Sequence, residues 1–166
     1  MFDTFMGLPL HVLVLHVTVV LIPLGAVAVA AVFCQPVWRQ RYGRVMVGVS
    51  LGMLVLAFVT VQAGQELQNR FRRIGDTNVP RDDHEMFGRA LLWIVLALAV
   101  ATALAALADR QGAPAALGTG FGVIVAALAV ASIVLTVIAG HTGSKSHWEQ
   151  FVDGTDSAGT ASAVPG

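Results

Sequence analysis

Charged residues are scarce in this sequence, and cysteine is almost absent. Only 12% of the 166 residues are charged, whereas 56% are hydrophobic; a soluble domain of this length has about 25% charged residues. A chain with so few charges cannot cover its own surface in water, so the lipid bilayer is its expected surrounding. The net charge is zero and no block of basic residues exists, which argues against nucleic acid as a partner.

Cys34 is the single cysteine of the chain. An intramolecular disulfide bond is therefore excluded, and so is cysteine ligation of zinc or of an iron–sulfur cluster by this chain alone. We interpret Cys34 as a small apolar residue at a helix end. Any metal or cofactor site must depend on other side chains.

Four long apolar runs dominate what is present. Each has about 20 or more mostly apolar residues, the length that a helix needs to cross the hydrocarbon core of a bilayer. Backbone groups in lipid must be satisfied within the segment, so the runs predict helices. The predicted fold class is all-α, an integral membrane four-helix transmembrane bundle. The runs cover residues 8–33, 45–67, 86–108 and 117–139.

The chain is expected to divide into a four-helix transmembrane domain, residues 1–150, and a disordered polar tail, residues 151–166. The tail is rich in Gly, Ser, Thr and Ala, and it has few groups able to bury surface. The first run is too long for the apolar region of a signal peptide, and Lys and Arg are missing before it. We therefore expect this helix to be retained.

Arginines near the first run indicate an orientation. Four spans place both termini on the same side, and the first helix usually dominates the choice. No Lys or Arg precedes it, whereas Arg39, Arg41 and Arg44 follow it closely. The expected location is the cell membrane, as a multi-pass protein of a bacterial inner membrane, with both termini outside the cytoplasm.

Small residues at helical spacing predict where helices approach one another closely. Gly48 and Gly52 form such a pair in the second run, and Ala97, Ala101, Ala105 and Ala108 form a smooth stripe in the third. We expect both sets to pack within the bundle.

All five histidines fall toward one side of the predicted bundle. Antiparallel threading brings the starts of the first and third runs level with the ends of the second and fourth. Ionisable residues in a membrane helix are costly and are by default functional candidates. We therefore predict a cofactor-binding site of His11, His84 and His141 at this end; the other two histidines are His16 and His147.

Bundle interiors are where facing helices build haem or metal sites. Haem b needs one or two axial histidines and an apolar slot, whereas a zinc, copper or iron ion needs three or four ligands at short range. The sequence leaves haem b and a transition metal open. His16 and Glu66 are weaker metal candidates: His16 lies about 140° around the helix from His11, and Glu66 is interpreted as an interfacial carboxylate.

Short motifs extend along roughly residues 5–150. They are Gly7-Leu8-Pro9-Leu10-His11 with His16 and Pro23, Gln62-Ala63-Gly64, His84-Glu85 with Gly88, and Gly140-His141-Thr142-Gly143. Their order and spacing resemble the bacterial membrane proteins of the domain of unknown function 2231 family. The resemblance implies a four-helix integral membrane domain without an established activity.

The same resemblance matches His11, His84 and His141 to the family's recurrent histidines. Some relatives are joined to Rieske-type or cytochrome c-type modules, which implies a redox setting; here any electron partner must be a separate protein. The chain departs from the family at Val12, where many relatives have proline, and at Gln65, where we expect an acid. The second departure weakens any role that needs a carboxylate at that position.

Three hypotheses of function follow. The first is a redox-linked membrane protein that binds haem b or a metal through the three candidate histidines. The second is a structural or accessory subunit whose small-residue faces pack on a larger membrane complex. The third is a small transporter or proton-conducting element that uses His16, Gln62 and Glu66 and assembles as a homo-oligomer. An enzyme has the least support, because no nucleophile–base set and no acid pair is legible.

Overall fold

The computed structural model of the protein describes the backbone of residues 4–5, 8–73 and 82–161 and the side chains of residues 11, 13–70, 72–73 and 83–145. Within the described backbone, two very short strands pair antiparallel and precede four helices. The elements are β1 (Thr4–Phe5), β2 (Leu8–Pro9), α1 (Leu10–Phe33), α2 (Pro36–Arg73), α3 (Asp82–Arg110) and α4 (Ala115–Ala161).

The four helices of the described chain are all long and apolar enough to cross a membrane, so the prediction of an all-α, four-helix transmembrane bundle is confirmed. α1 packs against α2 and α4, and α3 packs against the same two helices, which closes the four into a ring. The core is apolar, and many large apolar side chains also point outward, such as Trp93 at 66% exposure. Such an outer surface suits lipid.

The helices extend beyond the apolar runs that predicted them. α2 begins at Pro36, well before the second run, and ends at Arg73. Proline suits the first turn of a helix, where the N–H that it lacks would have no partner. α4 is helical as far as Ala161 and so passes residue 150. The division into a domain of residues 1–150 and a disordered tail of residues 151–166 stays a prediction.

The turn between α3 and α4 is built around Gly112. Its φ of 70° lies in the left-handed region, which glycine adopts without steric cost. The N–H of Gly112 donates to the Asp109 carbonyl, and the N–H of Ala113 donates to the Ala108 carbonyl, a pattern that closes helix C-termini. The turn holds Asp109 at the end of the bundle where α1 and α3 finish, which we call the arginine end after Arg39, Arg41, Arg44 and Arg110.

Close contact between α1 and α2 depends on Gly25. A Cβ atom at Gly25 would lie 2.6 Å from the Sδ atom of Met53. The expectation for Gly48 and Gly52 was wrong: both are exposed, and a Cβ at either would meet no described atom within 4 Å. The inward face of α2 instead carries Met53 and Ala57. Gly48 and Gly52 lie on a different face of the helix, which points outward. In α3, Ala101 and Ala105 are buried, as expected.

Replacing Gly25 by leucine is expected to destabilise the bundle, because the new side chain overlaps Met53 and must push α1 from α2. Overpacking of this kind costs about 1–3 kcal/mol. Thermal unfolding in detergent measures the effect. Gly52→Leu is the matched control and is expected to unfold at the same temperature as the wild type. Equal losses of stability in both variants would contradict this packing.

Candidate functional site

A cavity of about 110 Å³ lies among all four helices at the end of the bundle where α1 and α3 begin, which we call the histidine end. His11 from α1 and His84 from α3 are part of its wall. Most of the remaining wall is apolar, with Leu15, Ala57 and Leu91 among its residues. The antiparallel order of the helices thus brings the starts of α1 and α3 to the same end of the bundle, as the sequence predicted.

His11 is anchored to α2. Its Nδ1 atom lies 3.3 Å from the carbonyl oxygen of Thr60. The side-chain hydroxyl of Thr60 lies 2.7 Å from that of Thr18, so α1 and α2 share a second polar contact below the histidine. Gly64 makes room for the ring, because a Cβ atom there would lie 3.1 Å from Cε1 of His11.

His84 is anchored to α4 in the same manner. Its Nδ1 atom lies 3.0 Å from the carbonyl oxygen of Ala139. Gly143 makes room for this ring, because a Cβ atom there would lie 2.9 Å from Cε1 of His84. The two imidazoles meet edge to face, with ring centroids 6.3 Å apart and an angle of 79° between the planes.

The two anchors determine which nitrogen of each ring carries the proton. A backbone carbonyl can only accept a hydrogen bond, so Nδ1 of His11 donates to Thr60 and Nδ1 of His84 donates to Ala139. In a neutral imidazole the other nitrogen, Nε2, then has a free lone pair. This is the orientation that protein ligands of metals commonly have, with Nδ1–H bound to a carbonyl.

Polar residues form one side of the cavity. Gln68 donates through Nε2 to Oε2 of Glu85 at 3.3 Å, and Arg89 forms an ion pair with the same carboxylate. Gln65 also contributes to the wall. The cavity therefore combines an apolar interior, two imidazoles and a side with one carboxylate and one guanidinium.

His141 does not join His11 and His84. Its side chain is exposed, and it is outside the cavity wall, although its neighbours Ala139 and Gly140 belong to that wall. The cause is helical phase: two residues turn about 200° around a helix, so Ala139 faces inward and His141 faces outward. The cofactor-binding role of His11, His84 and His141 stays a prediction. In the structure, His11 and His84 belong to the cavity wall, whereas His141 is exposed outside it.

The weaker candidates also lie away from the cavity. His16, Gln62 and Glu66 are exposed on the outer surface of α1 and α2. Gln62 and Glu66, the α2 residues of the transporter hypothesis, therefore do not line a path through the described bundle. The side chain of His147 lies outside the described residues. Among the described side chains, no group of three or more His, Cys, Asp or Glu residues is close enough to hold a metal ion.

Several residues of the site cannot be recognised from the sequence because their signals are weak. The carbonyls of Thr60 and Ala139 are backbone groups, which no side-chain pattern marks. Gly64 and Gly143 did appear in the quoted motifs, but only the structure shows that each one leaves room for an imidazole.

A ring of four membrane-spanning helices, with a histidine-lined cavity at one end, defines the chain as a multi-pass cell membrane protein. The family model described as "Predicted membrane protein (DUF2231)" matches residues 7–156. The chain belongs to this family, and the resemblance seen in its short motifs is confirmed. No curated protein and no solved structure gives a significant match.

Proposed function

We propose that the protein is a redox-linked membrane protein that binds haem b through His11 and His84. One observation carries the proposal: two imidazoles on different helices are each anchored through Nδ1 to a carbonyl. In the neutral rings both Nε2 atoms then carry a lone pair, and both rings belong to the wall of a largely apolar cavity. Haem b takes one or two axial histidines in such surroundings.

The donor set favours haem b over a bare metal ion. A protein-bound zinc, copper or iron ion needs three or four ligands, and the described side chains contain no suitable group of three. Haem brings four nitrogen ligands of its own, so two histidines complete the set. When bound, it would supply one-electron chemistry, and a separate redox protein would be the partner.

The residues around the pair suit the porphyrin ring of a haem. Leu15, Ala57 and Leu91 offer apolar surface for the porphyrin. The porphyrin is larger than the cavity of about 110 Å³. Binding therefore requires that the first turns of α1 and α3, at the histidine end, separate.

The first test is an absorbance spectrum, combined with metal analysis, of protein purified after expression with haem and metals supplied. A Soret band with about one iron per chain is the expected result. Stoichiometric zinc or copper without a Soret band would replace haem by a metal site. If the purified protein contains neither haem nor metal, the histidines act only as a hydrogen-bonding network that holds the helix ends together.

A second candidate is an accessory subunit of a larger membrane complex or of a homo-oligomer. The observation that favours it is the face of α2 around Gly48 and Gly52, which no described atom covers and which lets another helix approach closely. Wild-type protein that migrates with a larger complex on native gels, while a Gly48→Leu/Gly52→Leu variant migrates alone, would support this role.

A further inference from the structure

A second cavity, of about 510 Å³, lies at the arginine end of the bundle. It is formed by the start of α2 and the end of α3. Among the described residues of its wall are four arginines, namely Arg39, Arg41, Arg44 and Arg110, and one acid, Asp109. Its volume falls in the range of about 300–1,000 Å³ that is usual for ligand sites.

One of these arginines is already neutralised. Nε of Arg39 lies 2.7 Å from Oδ2 of Asp109, and both side chains are largely buried, at 7% and 13% exposure. Arg39 also donates through a terminal nitrogen to the carbonyl of Gly118. The pair therefore joins α2, α3 and α4 and has no charge left for a ligand.

The other three arginines leave an uncompensated positive charge. Arg41, Arg44 and Arg110 are exposed, and within the described part of the chain none of them forms an ion pair; Arg41 lies against the ring of Tyr42. The sequence has no acid between Asp3 and Glu66. The charge of Asp109 is already balanced by Arg39. Arg41, Arg44 and Arg110 therefore give the cavity a positive charge, which attracts an anion.

The surroundings of the cavity point to an amphiphilic anion. Trp38 and Tyr42 are exposed on the first turns of α2, where aromatic residues mark the membrane interface. Val45 and Leu107 are exposed at 59% and 48%, on the same two helices toward the bilayer core. Cationic side chains thus stand directly beside apolar surface that acyl chains can cover.

We propose that this cavity binds the phosphate-bearing headgroup of an anionic phospholipid, with Arg44 and Arg110 as its cationic contacts. Basic pockets between membrane helices bind such headgroups on the cytoplasmic side. Lipid is favoured over free phosphate because apolar surface borders the cations. The site is independent of the haem proposal, and it agrees with the expected orientation, in which this end faces the cytoplasm.

The test compares lipid binding to detergent-purified protein by native mass spectrometry. Phosphatidylglycerol and phosphatidylcholine with identical acyl chains are the probes, and inorganic phosphate is a separate competitor. Arg44→Ala/Arg110→Ala is expected to bind phosphatidylglycerol about thirtyfold more weakly than wild type, or about 2 kcal/mol at 1.4 kcal/mol per tenfold. Arg72→Ala/Arg73→Ala, with two charges removed at the histidine end, is the matched control and is expected to bind as wild type.

Each other outcome overturns the proposal. Equal losses in both double variants would mean general attraction by charge, and equal binding of the two lipids would mean no headgroup site. Displacement of the lipid by millimolar inorganic phosphate would identify free phosphate as the ligand. The single variants Arg44→Gln and Arg110→Gln, each expected to weaken binding about fivefold, provide the same comparison if the double variant does not fold.

Discussion

His84→Ala is expected to give a protein purified without haem, and His11→Ala is expected to do the same. Each change removes one of the two imidazoles that would hold the haem, and the one remaining histidine would hold it much more weakly. The absorbance of the Soret band per chain measures the loss, which should be nearly complete. Thermal unfolding of the same samples shows whether the bundle persists.

His141→Ala is the matched control for these variants. It removes a histidine from the same end of the bundle, but from the exposed side of α4, and it is expected to retain the wild-type Soret band. This variant separates the three-histidine site that the sequence predicts from the two-histidine site that we propose. Loss of haem in His141→Ala would favour the three-histidine site.

Addition of imidazole distinguishes a lost ligand from a damaged fold. Free imidazole can occupy the space left by the ring in His84→Ala, and it is expected to restore the Soret band. A band that returns with imidazole in His84→Ala, with no change in His141→Ala, supports ligation by His84. A protein that stays colourless while it unfolds at the wild-type temperature argues against such ligation.

Asp109→Ala is expected to produce the largest loss of stability. It leaves the Arg39 guanidinium buried without its carboxylate, and removal of one partner of a buried ion pair costs about 3–5 kcal/mol. Arg39 also holds the start of α4 through the Gly118 carbonyl, so the change affects three helices. The midpoint of thermal unfolding in detergent measures the loss.

The ion pair of Arg89 and Glu85 provides the control for Asp109→Ala. It is an exposed pair one helical turn apart on α3, and such pairs contribute about 0–1 kcal/mol. Arg89→Ala is therefore expected to unfold close to the wild type. If the two variants lose equal stability, the Arg39–Asp109 pair is not the buried connection that the structure describes.

The number and type of helices could be predicted because apolar length alone specifies them. The start of α2 could not, because residues 36–44 are polar enough to resemble a loop, and Pro36 is compatible with either interpretation. The prediction that Gly48 and Gly52 pack within the bundle was wrong for a different reason. Spacing shows that two residues share a face, but the face that turns inward depends on neighbouring helices, and here Met53 and Ala57 define it.

The candidate site could be predicted in part for the same physical reason. The up-and-down order of the helices places His11 and His84 at the same level of the bundle. This can be predicted without knowing how each helix is rotated about its axis. His141 is at that level too, but whether it points into the bundle depends on the rotation of α4 about its axis. The Arg39–Asp109 pair was missed because the two residues are 70 positions apart. The signal available was that a solitary acid stands among the arginines of this end.

The haem proposal depends on His11 and His84, the two residues that would together hold one haem b. Electron paramagnetic resonance of the oxidised, haem-loaded wild-type protein tests this most directly, because two imidazole ligands give ferric haem a low-spin spectrum. We expect one haem b per chain with a low-spin, two-imidazole signal that disappears in both His11→Ala and His84→Ala. A purely high-spin signal, or a low-spin signal that survives either substitution, would contradict it.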